Sequence, residues 1–287
     1  MAKNSLQSHQ KRNILAATRS ITYAIANSIS DESEFMSARS FFFTFTTVVV
    51  VGLPYWSSAQ GDEKLANPSL QDKLAAQIET LTQQIQNSPD QLSLYSRRGD
   101  AHFFSANFTE AVTDYDKMVE LDPKTDSSHW RRGIAYFYVK KYDAAAAQFN
   151  RYHSFDDVDR ENGIWRYLSQ YKSQGEEAAR KELLKYDKDD REPFGDVYLL
   201  FAGKITGEEI LDKILKAEIS PSEREKRLFY ATLYIGLNHA VEGNEKLAAK
   251  YLTQASKNKW PATAGYGPNY MWQVARLHLG QLEERKD

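Results

Sequence analysis

The sequence predicts an all-α protein, a right-handed superhelical solenoid of antiparallel helix hairpins closed by a C-terminal capping helix. Two observations lead there. The string Tyr95-Ser-Arg-Arg-Gly99-Asp-Ala101 returns 34 residues later as His129-Trp-Arg-Arg-Gly133-Ile-Ala135. The echo then stays in register through Phe103 and Phe137, Phe108 and Tyr142, Ala111 and Ala145, and Tyr115 and Phe149. A fixed period of this size marks a chain built from one repeated supersecondary unit, each copy burying the apolar face of the next.

Before the repeats, Leu70, Leu74, Ile78, Leu81 and Ile85 fall on one face at helical spacing and stop at Ser88-Pro89-Asp90, which predicts a lone capping helix. Within each repeat, Gly99 and Ala101, and Gly133 and Ala135, give one helix a notch of small residues. Ala111 and Ala145 let the second helix approach it, while Phe108, Tyr115, Tyr142 and Phe149 fill the surrounding space. Pro123, after Leu121-Asp122, ends the first unit because proline cannot continue a helix. The second unit has Phe155-Asp156-Asp157 there and lacks the proline. Trp165, Leu168 and Tyr171, followed by Gly175 and Ala178-Ala179, predict a degenerate third hairpin.

The array is therefore assigned to 69–184, with units at about 92–125, 126–159 and 162–184. A turn-rich, charged stretch at 185–196 interrupts it, and 185–226 is expected as an irregular helical connector, with helices near 197–201 and 210–215 and a helix start at Ser220-Pro221. From 227 to 287 a final hairpin, turning at Glu242-Gly243-Asn244, and a terminal helix at 270–279 complete the chain.

This pattern of small residues, flanking aromatics and a closing proline resembles the tetratricopeptide repeat (TPR) family. Phe229-Tyr-Ala-Thr-Leu-Tyr-Ile-Gly236, Leu252-Thr-Gln-Ala255 and Ala275-Arg-Leu-His-Leu-Gly280 are similar to the C-terminal region of NlpI-type bacterial envelope TPR lipoproteins. That resemblance implies a dimeric envelope adaptor that brings proteases or cell-wall hydrolases to their targets. The sequence departs from those lipoproteins in having no cysteine for lipid attachment.

The first 67 residues read differently. Met36-Ser-Ala-Arg39 is a short positive region, Phe41 to Leu53 an apolar run, and Ser57-Ser58-Ala59 a small-residue end. Together they predict a signal peptide at 36–59 cleaved after Ala59, a linker at 60–68, and export to the periplasm or beyond. Residues 1–35 then read as an over-extended start. An uncleaved anchor and an organelle transit peptide, the latter suggested by Lys11, Arg12 and Arg19, are the alternatives.

Composition narrows the function. Lys plus Arg, 37, nearly balances Asp plus Glu, 39, so no basic footprint for nucleic acid is present. Without cysteine there are no disulfides, thiolate metal sites or Cys nucleophiles. His102, His129, His153, His239 and His278 are scattered, and no hydrolase, zinc or phosphate-loop motif occurs, so a non-enzymatic chain without cofactor or metal is expected.

A protein or peptide partner is expected instead, with a structural self-associating solenoid and a cryptic hydrolase as the alternatives. The first helices of successive TPR hairpins line a concave face, which assigns partner contacts to Ser96, Asp100, Phe103, Phe104, Trp130, Ile134, Phe137 and Tyr138. An aromatic stripe of this kind is either a hydrophobic binding groove or a face covered by the chain's own later helices. The pairs Arg97-Arg98 and Arg131-Arg132 read as packed stems with solvated heads. The acids at 156–161 and 187–190 read as solvated turns, since neither has calcium-loop spacing.

Overall fold

The computed structural model describes residues 69–284. The expected signal peptide with its cleavage point at Ala59, the extension 1–35 and the linker 60–68 lie outside the described residues. Among the described residues there is no strand, and no helix is long and apolar enough to cross a membrane.

Ser69 caps α1 (Leu70–Asn87) through a reciprocal pair of bonds with Asp72, and the helix buries Leu74, Leu81 and Ile85 against α2 (Leu92–Phe104). α2 pairs with α3 (Phe108–Leu121), and α4 (Trp130–Tyr138) with α5 (Tyr142–Phe155). These two hairpins lie one 34-residue period apart. Between them Pro123 opens a 3-10 turn, Pro123–Ser128. At the matching exit of the second unit Asp156 substitutes for the missing proline: its Oδ1 accepts the amides of Val158 at 3.0 Å and Asp159 at 3.3 Å.

α6 (Arg160–Gln174) follows, then the single short turn α7 (Glu176–Lys181), so the degenerate third hairpin has a long first helix and a stunted second. After an irregular stretch come α8 (Phe194–Phe201), α9 (Gly207–Lys216), α10 (Pro221–Val241) and α11 (Glu245–Lys257). α12 (Tyr266–Glu284) ends the described chain.

Two local devices hold the hairpins in one geometry. The first is a close helix approach. A Cβ on Gly99 would lie 2.7 Å from the Tyr115 ring, on Gly133 2.7 Å from Phe149, and on Gly236 2.8 Å from Leu252. In each case the residue filling the notch sits 16 positions downstream, so α10 and α11 repeat the register of the first two units although their letters differ. The second device is the turn. The amides of Asn107, Lys141, Lys204 and Asn244 donate to the carbonyls of His102, Tyr136, Leu199 and His239, at 2.8–2.9 Å. The residue before each donor is left-handed: Ala106 at φ 64°, Lys140 at 61°, Gly203 at 68° and Gly243 at 79°. This is the hydrogen-bonded helix ending that ordinarily recruits glycine. Its recurrence at Gly203 makes α8 and α9 a hairpin too, so the interruption narrows to the segment around 182–193.

A continuous core runs through the stack. Trp165 of α6 packs on Phe137 and Phe149 of the preceding hairpin, Tyr167 packs on Phe201 of α8, and Phe194 packs on Tyr230 and Tyr234 of α10. The result is an all-α solenoid of hairpins, compatible with a TPR-like array.

A left-handed backbone costs a residue with a Cβ roughly 1–2 kcal/mol, partly offset because glycine makes the unfolded chain more flexible. Ala106→Gly and Lys140→Gly should therefore each raise stability by about 0.5–1 kcal/mol in denaturant titrations. Gly133→Val, which drives a branched side chain into the immobile Phe149 ring, should lower it by about 2 kcal/mol or more.

Candidate functional site: the helix-filled groove

The concave face formed by α2 and α4 is occupied by α12, which covers α11 with one side and the groove with the other. Tyr270 is the central contact. Its ring stacks on Phe103 at 5.0 Å and meets Phe104 at 5.2 Å and Trp130 at 4.8 Å edge-on, while one turn earlier Tyr266 reaches Trp130 at 6.3 Å. Farther along, His278 Nδ1 lies 3.2 Å from the Tyr138 hydroxyl, and Arg276 Nη2 donates to the Phe104 carbonyl at 2.6 Å.

Beneath this aromatic layer sits a polar lock. Arg131 Nη1 donates to Asp100 Oδ1 at 2.7 Å and to the Tyr266 hydroxyl at 2.9 Å, and its Nη2 donates to Ser96 Oγ at 3.0 Å. Asp100 also accepts from the hydroxyls of Tyr115 at 2.7 Å and Tyr266 at 2.6 Å. Tyr115 and Tyr270 hydroxyls lie 3.3 Å apart. Burial, with Asp100 adding to it, holds both phenols well above their usual range, so they stay neutral hydrogen-bonding groups. Arg131 and Asp100 are each about 15% exposed, Arg131 at 15% and Asp100 at 14%, which makes this a largely desolvated ion pair bridging α2 and α4.

Of the two readings of the aromatic stripe, these positions match the face covered by the chain's own later helix. Phe103, Ile134, Phe137 and Tyr138 are buried, and Trp130 and Phe104 are half-covered by α12. Phe137 faces α6 rather than α12, through Trp165. Ser96 and Asp100 are spent on Arg131. The physical reason is Tyr270 of α12, fully buried among Phe103, Phe104 and Trp130. Burying a side chain of this size is worth roughly 1.5–3 kcal/mol, which an incoming helix would have to replace before gaining any affinity. Gly99, Ala101, Ala111, Gly133, Ala135 and Ala145 are buried at the helix crossings, and Pro123 opens its turn.

Two further readings change. The arginine heads are not solvated, apart from that of exposed Arg97: Arg98 makes a two-point contact with buried Asp114, at 2.7 and 2.9 Å, and Arg132 bridges Asp116 and Asp126. The signal was available, since Asp114 lies beside Tyr115, the residue that fills the Gly99 notch. Among the acids, Asp159, Glu161 and Asp190 gather around Arg191 rather than standing in water.

One of the histidines is a helix cap. His129 caps α4 by accepting the Arg132 amide, and burial, reinforced by Arg131 and Arg132, pushes it down to about 3. Among the described residues no group of three acidic or histidine side chains is set to hold a metal.

No family model matches the chain. A stretch of 51 residues, 18% of this chain, is 47% identical to a protein described as Protein SGT1 homolog from Oryza sativa subsp. japonica. The match spans 13% of that protein's length, so the likeness is local.

The lock yields a ranking. Asp100→Ala strands Arg131 in a desolvated site and should cost roughly 3 kcal/mol, whereas Tyr266→Phe, at the half-exposed edge, should cost about 1 kcal/mol or less. Chemical denaturation of the two variants beside the parent checks the order.

Proposed function

We propose that this chain is a non-enzymatic scaffold for protein–protein interaction. One observation carries the reading: the groove between α2 and α4 holds a helix, α12, by aromatic anchors over a polar lock. The chain thus practises on itself the helix-in-groove mode by which such surfaces recognise partners. With that seat filled, we assign the contact with another protein to the open end of the same groove. There Tyr138, Lys140, Tyr142, Lys172 and Gln281 surround a depression floored by Phe137. Its lining carries positive charge and no carboxylate, which suits an acidic segment with an apolar anchor.

In the same reading the chain is exported and acts in the bacterial envelope, where its partners are proteases or cell-wall hydrolases. The signal-like segment ending at Ala59 and the resemblance of about 227–280 to NlpI-type proteins support this assignment.

The test is capture from native envelope extract on the full chain, parent beside Lys140→Glu/Lys172→Glu, with circular dichroism confirming equal helicity. Charge reversal should reduce recovery of the captured proteins at least tenfold. Trp130→Ala/Phe137→Ala should instead lose cooperative unfolding, because both residues belong to the core. Undiminished capture by the charge-reversed chain would overturn the assignment of the contact surface, and a chain that binds only itself would overturn the adaptor reading.

A further inference from the structure

The start of α6 is out of charge balance. Asp159 caps the helix, Glu161 lies in its first turn, and Asp190 reaches in from the irregular segment. All three carboxylates bond to one guanidinium, that of Arg191: Nη1 donates to Asp159 and Asp190, each at 3.2 Å, and Nη2 to Glu161. The Asp190 and Glu161 side chains are 5% and 15% exposed, while Arg191 keeps 39%, so the acids are drier than the one cation that compensates them.

Each element around the cluster contributes to it. From α10, the Tyr234 hydroxyl hydrogen-bonds the second oxygen of Glu161, donating to it when it is a carboxylate and able to accept from it when it is protonated, and Tyr230 lies 5.6 Å from the guanidinium, which rests 4.3 Å above the Phe194 ring of α8. Asp190 Oδ2 accepts the Arg160 amide at 2.9 Å. The other charges nearby are engaged elsewhere. Lys188 pairs with Asp157, Arg227 with Glu223 and Glu192, and Arg160 lies over Tyr186, against which His153 of α5 packs edge-on. Asp156, just past α5, is spent on its own turn, and Tyr152 of α5 packs on Phe155. Full ionisation of the cluster thus leaves two negative charges unmatched. With one carboxyl neutral, a single excess charge remains at the N-terminus of α6, where the helix dipole favours it.

We propose that this cluster is a proton-operated latch: with Glu161 protonated, residues 185–193 are clamped onto α6 and α10, and on its ionisation the segment loosens. Burial drives the Glu161 carboxyl up to about 7, with Arg191 opposing and Asp159 adding to the rise. Burial likewise raises Asp159. A carboxyl held above its unfolded value keeps a proton that the unfolded chain has lost. The stability it confers is therefore complete below the ordinary carboxylate range and disappears as pH rises through about 7.

The experiment combines three measurements on the full chain and its Glu161→Gln variant. Carboxyl carbon NMR should find one glutamate titrating near neutrality in the parent, a resonance absent from Glu161→Gln. Thermal unfolding between pH 5.5 and 8.5 should show a midpoint falling through neutrality in the parent and nearly level in the variant, with the histidines common to both. Tryptic cleavage after Lys185 and Lys188 at pH 8 should be several-fold faster in the parent. Asp190→Asn, which removes one competing charge, should shift the glutamate titration to lower pH and serves if Glu161→Gln does not fold. Titration of every glutamate between 4 and 5, or the same pH dependence in parent and variant, would overturn the proposal. Equal cleavage rates would leave a titrating cluster that latches nothing, which also overturns it.

Discussion

The aromatic layer and ion pair under α12 are the interaction on which the rest of this structure depends. A solenoid of short hairpins is only as rigid as the contacts between neighbours, since residues far apart in sequence rarely meet. Here they do meet. Tyr266, Tyr270, Arg276 and His278 bind the first two hairpins to the terminal helix across sequence separations of 135 to 172 residues, and Asp100 and Arg131 give those bonds a fixed, desolvated anchor. The packing converts a one-dimensional stack into a closed unit, and it withdraws the concave face from the list of surfaces open to another protein.

That closure is possible because the hairpins are made to one pattern. Gly99, Gly133 and Gly236 each admit a residue from the helix that follows, and the left-handed turns at Ala106, Lys140, Gly203 and Gly243 return the chain through the same hydrogen-bonded ending each time. Ala106 and Lys140 tolerate a backbone that glycine adopts more cheaply, so the turn geometry is imposed by the hairpin on the residues available. With crossing and turn both fixed, Phe103, Trp130 and Tyr138 project onto a common surface, and α12 has a continuous seat rather than a set of isolated pockets.

Much of this was legible in the sequence, for a physical reason. The repeated units rest on contacts within about 34 residues, and such contacts leave a periodic trace: small residues, then aromatics, then a turn, at constant spacing. The helix at the C-terminus was legible as well, because Tyr270, Val274 and Leu277 share a face. Where that face lands was not, since periodicity reports that a helix has an apolar side but not which surface receives it. The same gap explains the arginines and acids. Arg98 and Arg131 look solvated when read along the chain, and only the helix crossing brings Asp114 and Asp100 to them. Asp159, Glu161 and Asp190 look like turn residues until the 182–193 segment folds back and places Arg191 among them.

The central claim, that α12 is part of the core and not a removable cover, is tested most directly by native-state hydrogen exchange at low denaturant. Amides of residues 270–282 should exchange with the same free energy and denaturant dependence as those of α2 and α4, so that the helix leaves the groove only when the whole unit unfolds. Exchange of 270–282 several kcal/mol below the global value, with α2 and α4 still protected, would mean that α12 is a lid and that the aromatic groove is an accessible site after all.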